Sequence, residues 1–246
     1  MENDEWKMSL PLIIGHRGAA AVAPENTLAS FERAMQNGAD GIELDVRLSR
    51  DAVPVVIHDP TLTRTASINR EVAKMSAAGL ASFDVPNLHE VLIQFKQRDA
   101  LLNVEMKSEK GELALANAVV QAVQNESMAT KVIVSSFDMA LISEVKRIDN
   151  SIRTAALFEP RISRPFDLVR KLKLIDVAQA HDADAIALHH KLVSSPMVEK
   201  ARQAGLEVVI WTVDNPQWVA RARTLGIKAL ITNNPAVMVA SRASAG

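Results

Sequence analysis

The chain has 246 residues, 48% hydrophobic and 23% charged, with 28 basic against 29 acidic side chains and no cysteine. A net charge of -1 gives no global field toward nucleic acid or an anionic membrane. The missing cysteine excludes disulfides, thiolate metal sites and Cys nucleophiles, and the length suits one α/β barrel or two small domains.

The opening MENDEWKMSLPLIIGHRG is acidic, and its apolar run is too brief for a signal peptide. No stretch approaches the ~20 apolar residues of a membrane span, so a soluble cytoplasmic protein is expected. PLIIGH reads as a first strand and NTLASFERAMQNGA as a helix. GIELDVRLS, residues 41–49, alternates at period 2, so Glu43 and Asp45 leave one face of a strand. VPVVIH is a local extended partner. Residues 59–100 form one long irregular connection ending in a helix, NLHEVLIQFKQ. LNVEMK then precedes ELALANAVVQAVQNE, and KVIVSS precedes FDMALISEVKRI. RTAALF is followed by FDLVRKLKLIDVAQAHD, AIALHH by SPMVEKARQAG, LEVVIWTV by PQWVARARTLG, and KALIT by NPAVMVASRA. The tail SRASAG is expected to be loose.

Repeated strand-then-helix units imply a parallel sheet, and eight of them at this length predict a TIM (β/α)8 barrel as one domain over 1–246. An open doubly wound sheet is the alternative, but no GxGxxG follows the first strand. Chemistry in a barrel sits at the C-terminal strand ends. Those ends carry His16-Arg17-Gly18, Glu43 and Asp45, His58, Glu105 and Lys107, Ser135-Ser136, His189-His190-Lys191, Trp211 to Asp214, and Thr232-Asn233. Three carboxylates at one barrel mouth favour a hard divalent cation over a salt-bridge network with Arg17 and Lys107. His16 and His58 suit proton transfer near neutral pH, and Arg17 suits a bidentate grip on phosphate. Together these residues describe phosphate-ester cleavage. His89 and His181 carry no expected function, Met139, Met197 and Met238 read as packing, and so do Trp6 and Trp218. Ser135 lacks a G-x-S-x-G context.

HRG at 16–18, PENT at 24–27, the stretch GIELDVRLSRDAVPVVIHDPTLTRT at 41–65, NVEMK at 103–107, SSF at 135–137 and WTVDN at 211–215 resemble the glycerophosphodiester phosphodiesterase family, bacterial cytosolic type. The resemblance spans about residues 13–235. It implies a TIM barrel with a small insertion after the second strand, within 59–100. It also implies metal-dependent hydrolysis of glycerophosphodiesters to sn-glycerol 3-phosphate and an alcohol. Carried over by position, His16 and His58 become the acid–base pair. Glu43, Asp45 and Glu105 become ligands of one divalent cation, Mg2+ or Ca2+. Arg17 and Lys107 become phosphate contacts, Trp211 a wall of the glycerol pocket, and Asn26 a site-ordering residue. The implied partner is a small glycerophosphodiester, with no nucleic acid, no stable membrane association, and homodimerisation left open. The alternatives are another TIM-barrel phosphodiesterase, of phosphoinositide or sphingomyelin type, and a non-catalytic metal- or phosphate-binding barrel. Asn233 stands where the family often has Asp, and either a weakened contact to Arg17 or a more positive site is the expected consequence.

Overall fold

The computed structural model describes residues 10–107, 113–160 and 168–244. Trp6, Glu112 and the first two residues of FDLVRKL lie outside them. The eight barrel strands are β1 (Leu12–His16), β2 (Gly41–Leu48), β4 (Leu101–Met106), β5 (Val132–Ser136), β6 (Arg153–Phe158), β7 (Ala185–His189), β8 (Glu207–Trp211) and β9 (Ala229–Thr232). They pair in parallel in the order β1-β9-β8-β7-β6-β5-β4-β2, and β1 pairing with β2 closes the ring. This is a TIM barrel. The short β3 (Pro54–Val56) runs antiparallel to β2 and stays outside the ring.

The two-residue alternation decides which side chains enter the barrel. On β2, Ile42, Leu44 and Val46 are fully buried against the helical shell, together with Val104 and Met106 of β4. Glu43, Asp45 and Glu105 therefore point inward. Register aligns them: His16 pairs with Glu43, Asp45 with Glu105, and Glu105 with Ser135. Beneath them the interior is filled by small and branched side chains, among them Ile14, Ala155, Ala187, Val209 and Ile231.

Helix α1 (Leu28–Gln36) starts where Thr27 accepts from the Ser30 amide at 3.1 Å. The connection after β3 contains α2 (Thr63–Ala66), a 3-10 turn (Val72–Lys74), α3 (Ala77–Ala81) and α4 (Leu88–Phe95). A capping box between Asn87 and Glu90 opens α4. Leu88, Val91, Leu92 and Phe95 of α4 join the main core, whereas Val55, Ile57, Leu62, Val72, Leu80 and Val85 form a separate small one. The remaining helices are α5 (Leu113–Asn125), α6 (Met139–Ile148), α7 (Leu168–Ala180), α8 (Ser195–Gln203), α9 (Gln217–Leu225) and α10 (Pro235–Ser244). Helix α10 continues to Ser244, so most of the tail expected to be loose is helical. Its Arg242 explains this by anchoring to Asp40 and, at 3.3 Å, to the Pro11 carbonyl. Among the described residues no helix is long and apolar enough to cross a membrane.

Candidate active site

The loop after β1 is built around a backbone constraint. Arg17 and Asn26 adopt left-handed φ values of 51° and 57°, and Gly18 sits at 86°. A Cβ on Gly18 would lie 2.4 Å from Ser30 Oγ, so the glycine of HRG lets this loop rest on α1. Left-handed non-glycine residues cost of order 1 kcal/mol or more and gather at functional sites. Here the turn aims the Arg17 amide at Glu43 Oε2, 3.0 Å away. Asn26 reaches back to Asp45 twice, donating from Nδ2 to Oδ2 at 2.9 Å and accepting from the Asp45 amide at 3.2 Å. The ordering role expected of Asn26 has this geometry.

Glu43, Asp45 and Glu105 each offer an oxygen, all within 4.8 Å of one another, and all three residues are buried. Arg17 Nε lies 3.1 Å from Asp45 Oδ2, Lys107 Nζ lies 3.2 Å from Asp45 Oδ1, and Lys107 also pairs with Glu105. Three carboxylates thus face two strong cations. Glu43 Oε1 is buried with no hydrogen-bond partner. Burial first, then repulsion from Asp45, pushes the Glu43 carboxyl well above the carboxylate range. Burial likewise pushes Glu105 up, although Lys107 opposes it. Burial would raise Asp45 as well, but Lys107 and Arg17 hold it low. An orphaned carboxylate oxygen and this surplus of buried negative charge fit a hard divalent cation held by oxygen donors. The salt-bridge network does not exclude a metal, because the two cations and the Arg17 amide leave Glu43 Oε1 without a hydrogen-bond partner.

The two histidines border this cluster with different second partners. His16 Nε2 lies 3.9 Å from Glu43 Oε2, and His16 Nδ1 lies 2.7 Å from Asn233 Oδ1. Asn233 Nδ2 and its amide both donate to Asp214, at 2.8 Å each. Asp214 accepts only, so Asn233 must turn its oxygen to His16, which carries its proton on Nδ1 and leaves Nε2 as an acceptor. This corrects the expectation for Asn233: the side chain meets His16, not Arg17. His58 Nδ1 instead faces the Asp59 carboxylate at 2.6 Å, and the His58 carbonyl accepts from Arg47 Nε at 2.8 Å. Burial is the main influence lowering both imidazoles, with Arg17 adding to it at His16.

Across the mouth stands an aromatic wall. Trp211 donates from Nε1 to the Ala187 carbonyl at 3.1 Å and makes edge contacts with Phe137 at 5.6 Å and His189 at 5.3 Å. Lys107 Nζ lies 5.7 Å from the centre of the Phe137 ring. On the other side, a groove of about 690 Å3 borders His58, lined by Leu28, Ile57, Phe83 and Pro86 among others. His89 and His181 stay away from the mouth, paired with Glu126 and Ser143. The structure therefore gathers His16, Arg17, Glu43, Asp45, Glu105 and Lys107 into one cluster of charged contacts at the strand ends, with His58 close enough to feel Asp45 and Trp211 joined through Phe137.

The sequence model of the glycerophosphoryl diester phosphodiesterase family matches residues 16–237. The chain belongs to this family. A glycerophosphodiester phosphodiesterase of Caldanaerobacter subterraneus subsp. tengcongensis is 30% identical over 246 residues, covering 93% of this chain and 96% of that protein. A glycerophosphodiester phosphodiesterase of Agrobacterium tumefaciens superposes with a TM-score of 0.76 at 27% identity, covering 94% of this chain and all of that one. An Oleispira antarctica phosphodiesterase in complex with the product sn-glycerol-3-phosphate superposes at 0.79 with 25% identity, covering 94% and 96%.

Sequence reasoning gave no role to several residues this glycerophosphodiester phosphodiesterase family member places at its mouth. Glu25, Asp59 and Arg64 lie inside quoted motifs, but spacing does not reveal that Arg64 joins Asp59 to Glu25, 39 positions away. Phe137 and His189 were visible only as strand-end residues. Asn103 Oδ1 and Ser135 Oγ are buried without hydrogen-bond partners, on the strands that carry and flank Glu105. The polar alternation of NVEMK was the signal for Asn103, and the end of KVIVSS the signal for Ser135.

Proposed function

We propose that this protein hydrolyses glycerophosphodiesters to sn-glycerol 3-phosphate and an alcohol, with Glu43, Asp45 and Glu105 holding one divalent cation and His16 and His58 moving the protons. The observation that carries this reading is the convergence of three buried carboxylates, flanked by both histidines, in a chain of this family. The product named in the Oleispira antarctica structure is the one assigned here. Oxygen-only donors suit Mg2+ or Ca2+. When bound, such an ion supplies Lewis-acid neutralisation of phosphate charge.

The chain's own residues provide the rest. Arg17 uses Nε and Nη1 on Asp45 and Glu25, which leaves Nη2 for a phosphate oxygen. Lys107 adds a second positive charge beside the carboxylates. His16 is held in the tautomer that accepts at Nε2. Asp59 behind His58 offsets part of the lowering that burial imposes on that imidazole, so His58 is assigned as the proton donor to the leaving oxygen. Each such role is typically worth ~10²–10⁴ in rate. Trp211 and Phe137 form an aromatic wall on the glycerol side.

The test is release of glycerol 3-phosphate from glycerophosphocholine, followed with and without EDTA. Release that stops with chelator and returns with excess Mg2+ or Ca2+ is the expected result. No glycerol 3-phosphate under any divalent cation would sink the proposal.

A further inference from the structure

One charged residue with no part in the scheme above, Arg64, ties together the carboxylates behind Arg17 and His58. Arg17 Nη1 donates to Glu25 Oε1 at 2.8 Å. Arg64 grips both oxygens of the same carboxylate, at 2.8 and 2.7 Å, and donates from Nε to Asp59 Oδ2 at 2.6 Å. The other Asp59 oxygen meets His58 Nδ1 at 2.6 Å. The chain of contacts therefore runs Arg17–Glu25–Arg64–Asp59–His58, from the loop after β1 to the connection after β3.

Packing does not explain the array. Helix α2, which carries Arg64, is four residues long and has no buried residue. The Arg64 side chain is 47% exposed. An isolated exposed ion pair contributes only ~0–1 kcal/mol to stability. What the geometry does offer is direction, because a planar guanidinium with three donors engaged fixes two carboxylates relative to each other. Those two carboxylates are the ones that orient Arg17 and the imidazole of His58.

We propose that Glu25, Arg64 and Asp59 form a positioning bridge that sets the phosphate-gripping Arg17 and the proton-carrying His58 in register around the scissile phosphate. The bridge rests on the phosphodiesterase reading of those two residues. Misplacement of a reacting group by about 1 Å can cost ~10² in rate, so a bridge of low thermodynamic value can have high catalytic value.

The test is a steady-state comparison of wild type, Arg64→Lys, Arg64→Ala, His58→Ala and the His58→Ala/Arg64→Ala double variant on glycerophosphocholine. Thermal melts and Ca2+ titrations accompany it. Arg64→Lys keeps the charge and loses the fork. It is expected to lower kcat ~10–100-fold with the melting temperature and Ca2+ affinity close to wild type. Because Arg64 acts partly through His58, Arg64→Ala is expected to cost much less in the His58→Ala background than in wild type. Turnover of Arg64→Lys and Arg64→Ala within twofold of wild type overturns the bridge. So does an undiminished Arg64→Ala effect in the His58→Ala background, or a kcat loss matched by loss of folded protein. An inactive wild type, or a fully active His58→Ala, would instead overturn the phosphodiesterase reading on which the bridge rests.

Discussion

Glu43 and Asp45 leave the same face of one strand, and each is held by different neighbours: a backbone amide for Glu43, and two cations and an amide side chain for Asp45. Asp45→Asn removes a charge at the centre of the triad. Ca2+ affinity and turnover are expected to fall together, with excess divalent cation restoring part of the rate. A variant that stays fully active in EDTA would make the triad purely structural. Changing His16 or His58 to Ala should lower kcat at least ~10²-fold while Ca2+ titration stays near wild type, and the double variant should be far from additive. Near-normal turnover by either would remove that histidine from the scheme. Burial depresses both imidazoles below 6.5, which favours the neutral form. The base therefore stays competent on mild acidification, and the acidic limb of kcat/KM should fall below pH 6.5. A limb centred above 7 would contradict the electrostatics. At this scale the clustering of carboxylates, cations and histidines was legible from side-chain chemistry at strand ends. The partner of His16 was not, because Asn233 and His16 lie 217 positions apart and meet only when the ring closes.

The elements do their work through register. β1, β2, β4 and β5 must align so that His16, Glu43, Asp45, Glu105 and Ser135 come to adjacent heights. Gly41 is the tightest point: a Cβ there would lie 2.1 Å from the Leu101 carbonyl oxygen. Neither backbone can move without shifting the pairing that aligns Asp45 with Glu105. Gly41→Ala should therefore cost ~1–3 kcal/mol, the usual range for overpacking, and weaken Ca2+ binding as well. Urea unfolding with a Ca2+ titration measures both, and an unchanged midpoint would show that the strands tolerate the methyl. Alternation of strand and helix made the eight units readable, and it placed β3 outside the ring. The small core around Leu62 and Leu80 was not readable, since short helices in an irregular connection leave no sustained period.

On the scale of the whole molecule, one side of the mouth is aromatic and the other is the groove beside His58. In the proposed scheme Trp211, Phe137 and Lys107 face the glycerol phosphate. The groove has one aromatic ring, Phe83, among its lining residues, which does not make a cage for choline. Glycerophosphocholine, glycerophosphoethanolamine and glycerophosphoglycerol should therefore lie within roughly 1–2 kcal/mol of one another in kcat/KM. A diester without glycerol should be much poorer, having lost the binding energy that orients the phosphate. A strong preference for one headgroup would show that the groove recognises the alcohol directly. The barrel itself was legible from strand count and length. The division of its mouth was not, because it depends on which way Trp211 and Phe137 turn once β5, β6, β7 and β8 stand side by side.

The central claim is metal-dependent attack at phosphorus with departure of the headgroup alcohol. Phosphorus NMR of wild-type protein turning over glycerophosphocholine in 18O-labelled water, with Mg2+ or Ca2+ and again with EDTA, tests it most directly. The account predicts sn-glycerol 3-phosphate as the phosphorus-containing product, the label on its phosphoryl group, and no reaction in EDTA. Phosphocholine as the product, label only in the released alcohol, or an equal rate in EDTA would contradict it.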